Sequence, residues 1–175
     1  MKITQTSLGG VYLLSDFFVQ RDDRGSIVEI WNASEWSIRD EGWNSFASFV
    51  KINQTTSRQR VLRGVHTNTC WRLFHVSYGR IFLAIVDCDP ASKTFGQHVD
   101  VLLDDQNDTQ VLVRPDYGIG HLILSQIAVL TYWWSDYYRE DSQKTFRYDD
   151  PRFGIEWPLD GKKPILSERD KNGSS

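Results

Sequence analysis

Apolar and polar positions alternate along this chain in short runs, and clusters of turn-forming residues separate the runs. Residues 26–31 (Ser, Ile, Val, Glu, Ile, Trp) alternate and predict a half-buried strand. Residues 72–78 alternate as two sets, with Arg72, Phe74, Val76 and Tyr78 on one side and Leu73, His75 and Ser77 on the other. Residues 81–86 are apolar throughout, which predicts a buried central strand. Shorter runs over residues 11–14, 48–53, 61–66, 99–103, 110–114, 121–124 and 128–134 continue the series. Asp22, Asp23, Arg24 and Gly25 form one turn signal, and residues 87–92, 104–108 and 114–118 form others. Many short strands at this spacing predict an all-β sandwich or closed barrel. Helical periodicity is confined to residues 33–41, a short helix that Asn32 or Ser34 could cap. Pro151, Pro158 and Pro164 give the C-terminal segment an extended, wrapping character. No repeat or linker interrupts the pattern, so residues 1–175 are expected to form a single domain.

Composition narrows the picture. With 175 residues, 40% of them hydrophobic, the chain is long and apolar enough to fold around one core. Seven Trp, seven Tyr and nine Phe favour strands, because flat rings suit a pleated surface. The net charge of -3 supplies no basic excess for displacing counterions, so nucleic acid is not an expected partner. The apolar run at residues 81–86 is too short to span a membrane, and the first residues lack the apolar stretch of a signal peptide. Cys70 and Cys88 have no metal-ligand spacing and read as structural thiols, compatible with a reducing, cytoplasmic location.

The candidate chemistry begins at Arg63-Gly64-Val65-His66, which sets an imidazole near a cation just before a loop. An imidazole titrates near working pH and is the natural base for abstracting a proton beside a carbonyl. A cation such as Arg63 or the later Arg72 stabilises the oxyanion that results. A carboxylate on the other ring nitrogen would fix the tautomer, and Asp170 is a candidate, although sequence alone does not bring residues 66 and 170 together. Tyr137 and Tyr138 are packing residues or phenolic acids able to return a proton from the opposite face. His75, His98 and His121 lack a His-X-His pair, so no metal site is expected. Arg24 and Glu29 belong to a solvated hairpin or contact a diphosphate or a base.

These segments, in this order, resemble the dTDP-4-dehydrorhamnose 3,5-epimerase family of cofactor-independent cupins. The matching stretches are residues 22–25 with Glu29, then Asn53, residues 61–66, Val86-Asp87, residues 92–96, Asp136-Tyr137-Tyr138, residues 149–151, Ile155-Glu156-Trp157-Pro158 and Leu166-Ser167-Glu168-Arg169-Asp170. The resemblance implies a jelly-roll β-sandwich barrel (cupin) with few short helices. It also implies a homodimer in which an N-terminal strand crosses to the partner. His66 would be the base, Asp170 its carboxylate, Tyr137 the acid and Arg72 the stabiliser of the enolate. Arg63, Lys51, Asn53 and His121 would bind substrate, with Arg24 and Glu29 supplied to the neighbouring site.

The chain departs from the family pattern at Arg72, where the family has Lys, at Lys51, where it has Gln, and at Leu83, where an Asp supports the second histidine. The context Tyr117-Gly118-Ile119-Gly120-His121 resembles a branch acting on GDP-linked 4-keto-heptoses. The implied function is epimerisation at C3, C5 or both of a nucleotide-diphospho-4-keto sugar, without cofactor, in deoxysugar or polysaccharide biosynthesis. The alternatives are a catalytically silent sugar-nucleotide-binding cupin, a 3,4-ketoisomerase and a metal-dependent cupin.

Overall fold

The protein is described here by a computed structural model, in which residues 1–32, 49–137, 139 and 143–173 are described. Two antiparallel sheets face each other. The larger contains β1 (Lys2–Gln5), β2 (Val11–Ser15), β5 (Lys51–Arg58), β7 (Arg72–Tyr78), β10 (Gln110–Val113) and β12 (Ile127–Trp134), in the order β1-β2-β10-β7-β12-β5. The smaller contains β6 (Leu62–His66), β8 (Arg80–Val86), β9 (His98–Asp104) and β11 (Gly118–Ile123), in the order β6-β11-β8-β9. A separate hairpin joins β3 (Val19–Asp22) to β4 (Gly25–Val28).

The core lies between the sheets. Phe74, Val76, Val111, Val113 and Leu130 from the larger sheet pack against Ile81, Leu83, Ile85, Ile119 and Ile123 from the smaller. The alternation in residues 72–78 is therefore real, but both of its sets are largely buried. Arg72, Phe74 and Val76 face the second sheet. Leu73 points the other way and packs with Tyr12, Leu112 and Trp133 beneath Phe17, Ile30, Trp31 and Phe49. The outer face of the smaller sheet is also covered. The proline-spaced C-terminal segment lays Tyr148, Ile155, Trp157, Leu159 and Leu166 over Leu62, Phe82, Ala84 and Leu122, as its extended character predicts.

Three elements differ from expectation. Residues 26–31 do not form a half-buried strand. The strand is the shorter β4, and Ile27 is 68% exposed because β4 pairs only with β3 and stands clear of both sheets. The strand expected at residues 48–53 runs instead over β5, through the polar stretch Gln54, Thr55, Thr56, Ser57 and Arg58. No apolar alternation marks that stretch, and pairing with β12 along its whole length holds it in place. The chain also forms a short helix, α1 (Glu168–Asn172), which apolar periodicity could not reveal in five polar residues. The helix expected over residues 33–41 lies outside the described residues, as does Tyr138.

Candidate active site

His66 ends β6, and its position depends on the glycine two residues earlier. A side chain at Gly64 would meet Gly120 Cα and Ile119 O of β11 at 2.5 Å, and its φ of +118° suits glycine alone. The close approach of β6 and β11 that follows brings His66 opposite Ile119, and Arg63 opposite His121 across a bulge.

Asp170 reaches the same place from the C-terminus. Ser167 caps α1: its hydroxyl accepts from the Asp170 N–H (3.1 Å) and donates to Asp170 Oδ2 (2.7 Å). This Ser-X-X-Asp reciprocity is the sequence signal that could have located α1. Arg169 donates to Thr145 Oγ1 (2.8 Å), and Thr145 bridges to His66, so the helix is clasped to β6. Asp170 Oδ1 then lies 2.7 Å from His66 Nε2 and accepts from the Gly64 N–H at 3.3 Å. Burial opposes ionisation of Asp170, but the hydrogen bonds from His66, Ser167 and Gly64 outweigh it and hold the carboxyl below its ordinary value. With Nε2–H given to the carboxylate, the ring's lone pair rests on Nδ1.

His66 and Asp170 line a cavity of about 230 Å³ between the two sheets. The smaller sheet contributes Arg63, His66, Ile119 and His121; the larger contributes Thr55, Arg72, Phe74 and Tyr132. Pockets that enclose a drug-sized ligand occupy roughly 300–1,000 Å³, so this one would take only part of such a ligand. Arg72 is buried and donates to Tyr117 O (2.8 Å) and His66 O (3.3 Å), which leaves its Nε–H without a protein partner among the described residues. Burial pushes its pKa down to about 10, and it stays charged at neutral pH. His121 is buried, with Nε2 also unpartnered among the described residues. Burial, with Arg63 and His66 adding to it and Asp170 opposing, pushes its pKa down to about 3, so it is a neutral group. Leu83 lies opposite it in the register and offers no carboxylate.

The sequence profile of the dTDP-4-dehydrorhamnose 3,5-epimerase family matches residues 5–175. The chain belongs to this family. It is 31% identical over 178 residues to the dTDP-4-dehydrorhamnose 3,5-epimerase of Pseudomonas aeruginosa, covering 100% of this chain and 96% of that one. It is 32% identical over 175 residues to the Escherichia coli enzyme of the same name, covering 98% and 92%. The solved structure of the Legionella pneumophila dTDP-6-deoxy-D-glucose-3,5-epimerase, in complex with dTDP-4-keto-L-rhamnose, superposes with a TM-score of 0.86 at 31% identity, covering 97% of this chain and 89% of that one. The Bacillus anthracis dTDP-4-dehydrorhamnose 3,5-epimerase, with TDP and PPi bound, gives 0.87 at 28% identity, covering 99% and 98%. The two facing sheets are thus the jelly-roll cupin barrel of these epimerases, which are isomerases of sugar nucleotides.

Other residues implied by the family resemblance fall into three places. Arg63, His66, Arg72, His121 and Asp170 meet at the cavity. Lys51 and Asn53 lie outside its lining but on the same face of β5 as Thr55, and Lys51 Nζ sits 5.1 Å from the Trp134 ring centroid. Arg24 and Glu29 lie by the hairpin: Arg24 pairs with Asp22 in the turn, and Glu29 accepts from Asn32.

Tyr137 lies apart from these residues, beyond the end of β12, where it is 69% exposed and outside the lining of the cavity. Tyr132 does line it, because alternation along β12 turns it inward with Leu130, and its ring stacks on Phe74 at 5.7 Å. That alternation was readable in residues 128–134. No group of three or more possible metal-ligating residues occurs among the described residues.

Proposed function

We propose that the cavity epimerises a nucleotide-diphospho-4-keto sugar at C3, C5 or both by proton transfer. The observation that carries this reading is the His66–Asp170 pair, 2.7 Å apart, on one wall of a cavity whose other wall presents Tyr132. The C4 ketone acidifies the neighbouring C–H bonds. His66 Nδ1 takes the proton, and the imidazolium that forms is stabilised by the Asp170 carboxylate. Negative charge moves to O4, where the unpartnered Nε–H of Arg72 donates to it. Tyr132 returns a proton to the opposite face of the carbanion, which inverts the centre; solvent then reprotonates the phenolate and takes the abstracted proton from His66. Base and acid on facing sheets are the arrangement that inversion of a ring held between them requires. The ketone is the electron sink, so the residues need no cofactor for this step.

The nucleotide lies outside the cavity, along Lys51, Asn53 and Arg63. The solved relatives bind dTDP-4-keto-L-rhamnose and TDP, which makes a dTDP sugar the first substrate to try. The Pro-X-X-Gly-X-X-His context makes a GDP-linked sugar the second. Arg24 and Glu29 serve the site of a second copy. Phe18 (76% exposed) and Ile27, flanking them on the hairpin, are the apolar surface such a partner would cover. Two free buried cysteines fit a reducing, cytoplasmic setting.

The test offers dTDP- and GDP-linked 4-keto-6-deoxy hexoses in deuterium oxide, with and without a chelator. The proposal expects uptake at C3 or C5 and inverted product, unaffected by chelation. Tight binding with no uptake would instead mark a silent sugar-nucleotide-binding cupin, the reading that Arg72 and Leu83 favour. A 3-keto product would mark a ketoisomerase.

A further inference from the structure

The inward face of β5 contrasts with that of its neighbour β12. Its inward positions are Lys51, Asn53, Thr55 and Ser57, a polar row, whereas β12 beside it turns Ala128, Leu130, Tyr132 and Trp134 inward. A strand that faced only packed side chains would carry apolar residues there. One member of the row accounts for itself within the protein, since Ser57 Oγ accepts from Arg63 at 3.3 Å. Thr55 does not. Its Oγ1 is buried and finds no hydrogen-bond partner among the described residues, although a buried hydroxyl left unsatisfied costs about 1–3 kcal/mol. Thr55 also lines the cavity that holds His66, Asp170 and Tyr132.

The other unpartnered buried polar atoms of that lining are Arg72 Nε and His121 Nε2. Three orphaned polar atoms therefore border one small cavity. By contrast, the larger cavity of about 460 Å³ beside Asp87, Arg114 and Tyr117 has its buried polar side chains satisfied. Asp87 accepts from Ser92, Thr94 and the Asp89 N–H, and Thr67 Oγ1 accepts from the Lys144 N–H. Other buried atoms unpartnered among the described residues, on Asn68, His75 and Gln110, lie outside this lining, but at this cavity three such atoms gather around one space. A 4-keto sugar has one oxygen for Arg72 and further hydroxyls that need partners of their own once water is excluded.

We infer that Thr55 is a substrate-binding residue whose hydroxyl hydrogen-bonds a hydroxyl of the sugar ring, at C2 or C3, and so helps to select a hydroxylated 4-keto hexose. The inference rests on the epimerase reading. A site built to bond a hydroxyl discriminates against the analogue that lacks it, because its own polar group is then left unpaired.

The experiment follows deuterium uptake at C5 for wild type, Thr55→Val and Thr55→Ser with three substrates: the parent 4-keto-6-deoxy hexose on its nucleotide, its 2-deoxy analogue and its 3-deoxy analogue. Val keeps the shape and removes the hydroxyl, while Ser keeps the hydroxyl. The expected result is a loss of roughly 3- to 10-fold in kcat/KM for Thr55→Val on the parent, the size of one neutral hydrogen bond, with recovery in Thr55→Ser. The Thr55→Val penalty should vanish for one deoxy analogue and persist for the other. A merely structural threonine would give the same penalty with all three substrates, and that result overturns the inference. So does a Thr55→Val variant as active as wild type on the parent, the outcome expected if a trapped water meets the hydroxyl. Wild type that takes up no deuterium defeats the epimerase reading itself, and the Thr55 assignment with it.

Discussion

Replacing Asp170 with Asn removes one charge from an acceptor that His66 Nε2, Ser167 Oγ and the Gly64 N–H all approach. The amide can keep its oxygen toward His66 and preserve the tautomer, so what is lost is the stabilisation of the imidazolium after proton abstraction. The side chain is 5% exposed, which leaves little solvent screening. Two estimates bound the effect. Hydrogen bonds to charged groups contribute about 1.5–3 kcal/mol against about 0.5–1.5 for neutral ones, a difference of about 1–1.5 kcal/mol. Two unit charges about 4 Å apart at an effective dielectric of about 20 interact by about 4 kcal/mol. At about 1.4 kcal/mol per factor of ten, Asp170→Asn should slow deuterium uptake at C3 and C5 by roughly 10- to 1,000-fold. NMR of the 4-keto sugar in deuterium oxide reads it, with circular dichroism as the control for folding. Uptake within a factor of two of wild type in a folded variant would refute the argument that the carboxylate acts through His66.

Tyr132→Phe should retain uptake but lose most of the inverted product, while Tyr137→Phe should leave the product ratio unchanged; NMR of the products separates the two. Gly64→Ala forces a side chain onto the backbone of β11 at a positive φ, and thermal unfolding should show a loss of about 2–4 kcal/mol or more. His121 should not titrate in NMR spectra of the folded protein between pH 5 and 8. Its ordinary pKa of 6.5 in the unfolded chain falls to about 3 on folding, so the unfolded state binds the extra proton between these values. Stability should therefore fall as pH drops below about 6.5, and a His121→Phe variant should lack this part of the acid limb in denaturant titrations. Asp170 has the ordinary carboxylate sign: its lowered pKa stabilises the fold above the usual value of 3.8, and that contribution is lost as pH falls through the lowered value.

The sequence carried the barrel clearly where burial is one-sided or complete. The apolar run at residues 81–86 lies within β8, and the two-set alternation at residues 72–78 is β7. It was silent where strand residues face a cavity or stand clear of the two sheets. The outer half of β5 has polar residues facing a cavity, so a rule that equates strands with apolar alternation ends it too early. The hairpin at β3 and β4 has apolar residues facing solvent in the single chain, so the same rule buries it wrongly. At the site, the His66–Asp170 pairing came from the resemblance alone, since 104 residues of chain separate the partners and no local signal spans that distance. Once Ser167 is seen to cap α1 and Thr145 to meet both Arg169 and His66, the pairing has a physical cause. Tyr132 and Thr55 were overlooked for a related reason. Each is an ordinary strand residue until register shows which face it occupies.

The most direct test of the central claim compares wild type with His66→Ala, incubated with the 4-keto-6-deoxy hexose on its preferred nucleotide in deuterium oxide. The account predicts uptake at C3 or C5 by wild type, and uptake in the folded variant no faster than in buffer alone. Normal uptake by His66→Ala would show that another group removes the proton, and would contradict the account at its root.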